Sequence, residues 1–386
     1  YMNPGLIFEE LGFRYFGPVD GHDVQRMIST LRDLKDVKGP AFLHVITQKG
    51  RGFDEAEADP SGYHGVSARP KVVETCLIEA AGKQAPPAER QDCCKHFGPL
   101  MVKFAEEHDN LVAITAAMPS GTGLTVFAEK CPDRYYDVGI CEQHAVALAG
   151  GLARGGALPV AAIYSTFLQR AYDQVFQELA LQSAHVVLCM DRAGVVGGDG
   201  MTANGAFDIA YLRPIPRTTL LAPADLAEME AMIAFSLGHE GVVALRWPKA
   251  PFLFTPLPGN DAPIELGRSV TLREGEDLAL IAYGAMVETC LEVAARLAEQ
   301  GVEATVINGR FAKPLDEDAL VKAAERHPLV VTVEDHALHA GFGSAVAECL
   351  IDRGAVPTRL ARIGLPDRFI EHGSRSDLLR RYGLGA

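Results

Sequence analysis

Short apolar runs alternate with longer amphipathic stretches along nearly the whole chain. The runs at Ala41–Thr47, Leu111–Ala116, Pro159–Tyr164, Val186–Met190, Val242–Arg246, Leu278–Tyr283 and Leu329–Glu334 predict strands. Between them, residues Asp23–Leu34, Glu142–Ala153, Leu168–Gln182, Leu226–Leu237 and Val287–Glu299 repeat apolar positions at helical spacing. This strand–helix alternation predicts an α/β fold with parallel sheets covered by helices on both faces. Ligands of such sheets sit on the loops at the carboxyl ends of the strands, so those loops are the places to look for chemistry.

A chain of 386 residues is too long for one core. Two polar, proline-bearing stretches divide it. Lys83–Gln91 contains Pro86-Pro87, and Pro248–Pro263 holds five prolines without helical or strand pattern. Both read as linkers. The expected pieces are residues 1–82, 92–250 and 262–386. The first shows one good strand and is too small for a complete α/β domain, so it is expected to be the tail of a larger one.

The formal charge of −14 argues against a nucleic-acid binder, which gathers Lys and Arg. The eight cysteines are scattered, and the adjacent pair Cys93-Cys94 suits neither a zinc site nor a thioredoxin-type pair. Such thiols fit a reducing compartment, and no apolar run approaches the roughly 18 residues of a membrane span. A cytoplasmic protein is expected, with a plastid location left open. The chain starts at Tyr1 and not at Met, which reads as a cut or processed end.

Four loops could carry chemistry. In Asp137-Val138-Gly139-Ile140-Cys141-Glu142-Gln143-His144, Glu142 stands where a loop enters a helix rich in small residues. An acid in the first turn is favoured by the helix dipole alone. Its apolar neighbours suggest burial, which raises a carboxyl pKa and lets the group share a proton. The loop Asp191-Arg192-Ala193-Gly194-Val195-Val196-Gly197-Gly198-Asp199-Gly200, continuing to Gly205, carries five glycines directly after a strand. Those glycines let backbone approach a ligand, and Arg192 with Asp199 suits an anionic or hydroxylated substrate; a plain turn would also fit. Tyr164-Ser165-Thr166-Phe167-Leu168-Gln169-Arg170 opens a helix at a strand end; a Ser/Thr cap with a core Phe explains it equally well. In Gly62-Tyr63-His64-Gly65, His64 is a surface histidine or a catalytic one. The tracts Val333-Glu334-Asp335-His336 and Gly341-Phe342-Gly343 read as structural, with acids at a strand end capping the next helix. The absence of a Walker loop, a dinucleotide fingerprint and a nucleophile elbow removes kinases, dehydrogenases and α/β-hydrolases.

Taken together these strings resemble the 1-deoxyxylulose-5-phosphate synthase family of the transketolase group. Gly17-Pro18-Val19-Asp20-Gly21-His22-Asp23, Gln48-Lys49-Gly50-Arg51-Gly52-Phe53, the Glu142, Phe167 and Asp199 loops and Arg310-Phe311-Ala312-Lys313-Pro314-Leu315 carry the resemblance over essentially the whole chain. It implies a thiamine-diphosphate-binding fold with a transketolase C-terminal domain. It also implies condensation of pyruvate with glyceraldehyde 3-phosphate to 1-deoxyxylulose 5-phosphate and carbon dioxide, the first step of non-mevalonate isoprenoid synthesis. The cofactors implied are thiamine diphosphate and Mg2+, and the implied assembly is a homodimer. By resemblance Glu142 hydrogen-bonds the cofactor's aminopyrimidine and favours its imino tautomer, Phe167 stacks on that ring, and Ile140 and Phe53 touch the cofactor. His64, Tyr164 and Asp199 fall at active-site positions, and Arg170, Arg192 and Lys249 at substrate-binding ones, with Arg192 and Lys249 on the acceptor phosphate.

Three departures from the family pattern stand out. Ala203 replaces a histidine. Trp247-Pro248-Lys249-Ala250 replaces Tyr-Pro-Arg-Gly, which keeps a charge but loses the planar fork. The stretch that holds diphosphate and metal is expected upstream of Tyr1, so the chain is expected to act with an N-terminal segment of its own, and no metal ligand is assigned within it. Two other readings remain: a split transketolase or 2-oxo-acid dehydrogenase β-type subunit, and a non-catalytic binding fragment.

Overall fold

The computed structural model describes residues 5–60, 63 and 89–385. The chain forms two compact units, Tyr1–Ala85 and Pro86–Ala386. Among the described residues no helix is long and apolar enough to cross a membrane.

In the first unit the strands Arg14–Asp20 and Ala41–Ile46 pair in parallel. The sequence reading had only the second, because Arg14–Asp20 carries charge, Gly and Pro between its apolar residues. The helix Val24–Leu34 joins them, and the Asp23 carboxylate caps it by accepting the Arg26 N–H at 2.9 Å.

The second unit is built on a seven-stranded sheet. From edge to edge its strands are Phe311–Lys313, Thr218–Leu221, Val242–Arg246, Val186–Asp191, Leu158–Tyr164, Leu111–Thr115 and Tyr135–Asp137. All neighbours run parallel except Phe311–Lys313. The central strands are buried on both faces, which is why they read as unbroken apolar runs. A second sheet orders Val270–Arg273, Ala304–Asn308, Leu278–Ala282, Leu329–Ala337 and Arg359–Leu365, again parallel except at its first strand. Helices such as Glu142–Arg154, Leu226–Gly238 and Met286–Ala298 lie against these sheets.

Two expectations change. Residues Ser165–Ala180 are helical without a break, as expected of Leu168–Gln182, but not as one regular helix: the hydrogen-bonding pattern changes over Ser165–Leu168, Gln169–Ala171, Tyr172–Gln174 and Val175–Ala180. Nor is Pro248–Pro263 a bare tether. Its Pro251–Leu253 pairs antiparallel with Arg90–Asp92, and Asn260 is buried with its side chain on the Asp225 carboxylate at 2.7 Å. Asn308 and Arg310 share the same buried cluster through Glu228, with Arg310 Nε 2.7 Å from Glu228 Oε1. Phe311–Lys313 then joins the first sheet. The C-terminal region is therefore tied to the larger sheet by a strand and by a satisfied charge network, the arrangement that buried charges require.

Candidate active site

Glu142 opens the helix Glu142–Arg154 and is buried. The turn before it is set by Asp137, whose Oδ1 accepts the N–H groups of Ala117 at 2.8 Å and Gly139 at 3.0 Å. This ties the ends of two neighbouring strands together and directs Glu142 into a cavity of about 330 Å³. Ala116, Met118, Ile140, Thr166, Phe167, Gln169 and Arg170 line the rest of it. The walls are mostly apolar. The carboxylate is not in the purely apolar setting that its sequence neighbours suggested. Arg170, half exposed, donates Nε to Glu142 Oε2 at 2.8 Å and pairs with it again through a terminal nitrogen, while also reaching the Ile140 carbonyl at 3.3 Å.

Tyr164 ends its strand and caps the following short helix with backbone only. The Ser/Thr-cap explanation therefore fails: Ser165 Oγ donates to buried Asp208 at 3.0 Å, and Thr166 Oγ1 donates to the Thr202 carbonyl at 2.9 Å. Phe167 packs on the core from one side and lines the cavity from the other. The Tyr164 ring lies nearly parallel to Phe167, centroids 5.5 Å apart. On Tyr164 sits the Arg192 guanidinium, 4.1 Å from the ring centre. Burial pushes the Tyr164 hydroxyl up to about 12, with Arg192 opposing and the nearby carboxylates reinforcing the shift, so it stays a neutral donor.

Arg192 is buried with a positive φ of 59°, and it is held by Asp191 Oδ1 at 2.9 Å and by the Gly121 carbonyl. Burial lowers its pKa, but Asp191, Tyr164 and Cys94 together more than offset that and the net shift is upward. Among the described residues its Nε is buried without a hydrogen-bond partner. Farther along the loop, Asp199 pairs with Lys249 at 2.9 Å, both half exposed. Ala203 ends a short turn, Met201–Ala203, whose Thr202 carbonyl is the one bound by cavity residue Thr166.

The structure thus gathers Glu142, Ile140, Phe167 and Arg170 around one cavity; Tyr164 stacks on Phe167 and carries Arg192, while Asp199 and Lys249 form a separate ion pair. Phe53 belongs to the first unit, where its exposed ring meets Tyr63 edge-on at 5.5 Å. His64 lies outside the described residues. Sequence reasoning missed Ala116 and Met118, although one ends a recognised strand, the other follows it, and the strand-end rule points at both. It also missed Asp208, which no motif marks. Among the described residues no three His, Cys, Asp or Glu side chains stand close enough to hold a metal ion.

The tracts read as structural behave so. Glu334 accepts the N–H groups of Phe342 at 2.6 Å and Gly343 at 2.8 Å, capping the helix Phe342–Asp352. Burial raises its pKa to about 7 against the pull of those two hydrogen bonds.

Comparison with known proteins agrees with this geometry. Residues 1–47 match the 1-deoxy-D-xylulose-5-phosphate synthase family model, residues 90–252 the transketolase pyrimidine-binding domain, and residues 267–386 the transketolase C-terminal domain. A 1-deoxy-D-xylulose-5-phosphate synthase of Geobacter sulfurreducens is 46% identical over 386 residues, all of this chain and 60% of that protein. One from Gloeobacter violaceus is 48% identical over 383 residues, 98% of this chain and 59% of the relative. The chain spans about three-fifths of the length of the curated relatives it matches. A split-gene transketolase, described as an inactive beta4 tetramer, superposes with a TM-score of 0.67 at 29% identity over 76% of this chain and 94% of its own. A Campylobacter jejuni transketolase at 18% identity and TM-score 0.65, over 100% of this chain and 68% of its own, shares the fold. This chain belongs to the 1-deoxy-D-xylulose-5-phosphate synthase family of transketolase-type, thiamine-diphosphate-dependent enzymes.

Proposed function

We propose that this chain supplies the pyrimidine side and the acceptor side of a synthase site that joins pyruvate to D-glyceraldehyde 3-phosphate with loss of carbon dioxide. The observation that carries the reading is the buried carboxylate of Glu142 at a helix start, facing an apolar-walled cavity with Phe167 on its rim. An aminopyrimidine suits that cavity: it presents a flat face to a ring and a ring nitrogen to an acid. Thiamine diphosphate, when bound, supplies the nucleophilic carbon for decarboxylation and carbon–carbon bond formation. The Mg2+ and the diphosphate are assigned to protein outside this chain, and a homodimer is part of the same reading.

Each residue then has a task. Glu142 holds a proton at the pyrimidine nitrogen, while Phe167 and Ile140 pack against the cofactor and exclude water. Arg170 leaves Glu142 to engage substrate. Arg192 and Lys249 bind the acceptor phosphate. Tyr164 donates a hydrogen bond to substrate oxygen, and Asp199 completes the acceptor side. Ala203 offers no proton. That favours the second reading, a chain that binds ligand without efficient turnover, and it is the feature that separates the two.

The test is Glu142→Ala in a polypeptide completed to the length of the relatives. Turnover should fall by roughly 10²–10⁴-fold, with melting temperature nearly unchanged. Near-normal turnover would sink the assignment.

A further inference from the structure

The loop 191–205 should be costly to order. It carries five glycines, and fixing a residue's backbone costs conformational entropy, most of all for glycine. Yet its inner edge is held closely, partly by bonds within the loop and to Trp247, and partly by the C-terminal region. Buried Asp335, in the strand Leu329–Ala337, accepts the Val195 N–H at 3.0 Å through Oδ1. Its Oδ2 accepts from Arg375 at 2.7 Å, and Arg375 Nε donates in turn to the Val195 carbonyl at 2.9 Å. One carboxylate–guanidinium pair therefore grips both polar groups of a single loop residue. Gly373 N–H reaches the Gly197 carbonyl at 3.3 Å. Asn204, across the loop, accepts the Val196 N–H at 2.8 Å and donates to the Ile370 carbonyl at 3.2 Å. The fit leaves no space. A methyl group at Gly194 would stand 2.2 Å from the Asp335 carboxyl carbon, and one at Gly197 2.5 Å from the Gly373 carbonyl oxygen; both glycines have positive φ.

We infer that Asp335 and Arg375 are positioning residues that latch the Gly-rich loop, setting where Arg192 and Asp199 stand relative to the substrate. This rests on the reading above that the loop lines the substrate side. The motif that contains Asp335 was read from sequence only as a helix cap. Its neighbour Glu334 has that task, and Asp335 points the other way, at the loop.

Arg375 is the residue to vary, because its side chain is partly exposed while Asp335 is buried. Arg375→Met removes both contacts. Arg375→Lys keeps a charge for Asp335 but cannot reach the carboxylate and the Val195 carbonyl with one planar fork. In the completed polypeptide, amide hydrogen exchange and steady-state kinetics are measured together. For Arg375→Met, exchange of peptides spanning 193–200 should rise about 10-fold or more, while peptides from Leu278–Ala282 keep their protection. KM for pyruvate and for glyceraldehyde 3-phosphate should rise by a similar factor, with kcat changing less than about 3-fold. Arg375→Lys should fall between. Unchanged exchange in the loop overturns the latch. A rise of exchange throughout the unit reduces Arg375 to a structural residue and overturns positioning, and so does a loosened loop with unaltered KM. Should the unvaried protein show no synthase turnover, the proposed function fails, and the exchange arms alone still decide whether Arg375 holds the loop.

Discussion

The cavity around Glu142 and the Gly-rich loop beside it solve opposite problems. The cavity is made by side chains on regular elements: a strand end, a helix start and the Phe167 turn. Its one buried charge faces a half-exposed arginine that can swing away. The loop has little regular structure, and its charges are matched internally, Asp191 with Arg192 and Asp199 with Lys249. Its rigidity comes from Asp335, Arg375 and Asn204 in contact with its backbone. A ligand entering the cavity has to displace one flexible side chain. An anion entering the loop has to compete with the protein's own carboxylates, so affinity there depends on geometry more than on charge count.

Three changes sharpen that contrast. The largest is Ala203→His. An imidazole at the end of the Met201–Ala203 turn adds a proton donor beside Thr166, and the turn is partly open, so the fold should be unaffected. If the loop provides the acid–base side of the site, turnover of the completed polypeptide should rise by about 10²–10⁴-fold. A variant no faster than the parent would mean that another group already moves the proton.

Next is Lys249→Gln. Its ion pair with Asp199 is half exposed and contributes little to stability, so melting should hardly change. A phosphate contact is worth more: loss of one charge-assisted hydrogen bond should cost about 1.5–3 kcal/mol in kcat/KM with glyceraldehyde 3-phosphate. With unphosphorylated glyceraldehyde the loss should largely vanish. Equal losses with both acceptors would remove the phosphate role.

The last effect is on stability and concerns the platform under both regions. Asp208 holds Ser165 at the start of the Phe167 turn, Arg246 pairs with Asp208 at 2.8 Å, and buried His336 lies 3.7 Å from Asp208 and 3.8 Å from Glu334. Burial raises Glu334 to about 7 and lowers His336 to about 4. A carboxyl raised in the fold makes stability fall as pH rises from its ordinary 4.5 to about 7. A histidine lowered in the fold makes stability rise with pH from about 4 to 6.5. Between pH 4.5 and 6.5 the two slopes oppose, each on the order of 3 kcal/mol in full. Other shifted groups, His96 and His239 among them, add slopes of their own, so the readout is the variant's profile relative to the parent's across that window. Relative to the parent, Glu334→Gln should become more stable as pH rises through it, and a flat difference would show that Glu334 adds no slope there.

How much of this was legible in the sequence follows from what writes patterns. Strands buried on both faces, such as Val186–Asp191 and Leu278–Ala282, were found because they are continuous apolar runs. Tyr135–Asp137 and Arg359–Leu365 were not, because edge strands are short or partly polar and are defined by hydrogen bonds to a neighbour. Glu142 was legible because its string is distinctive. Its pairing with Arg170 was not, since the two lie 28 residues apart and follow strands that the sheet order separates by Leu111–Thr115. The grip of Arg375 on a loop 180 residues earlier leaves no local signal at all.

The central claim is that Glu142 activates a cofactor bound in its cavity, and the most direct test reads that activation without turnover. In the completed polypeptide loaded with thiamine diphosphate, the rate at which the cofactor's thiazolium C2 proton exchanges with deuterium is compared between the parent and Glu142→Gln. The amide keeps the size of the side chain but cannot accept and return a proton. The account predicts that exchange slows by about 10²–10⁴-fold with the cofactor still bound; an unchanged rate with the cofactor bound would contradict it.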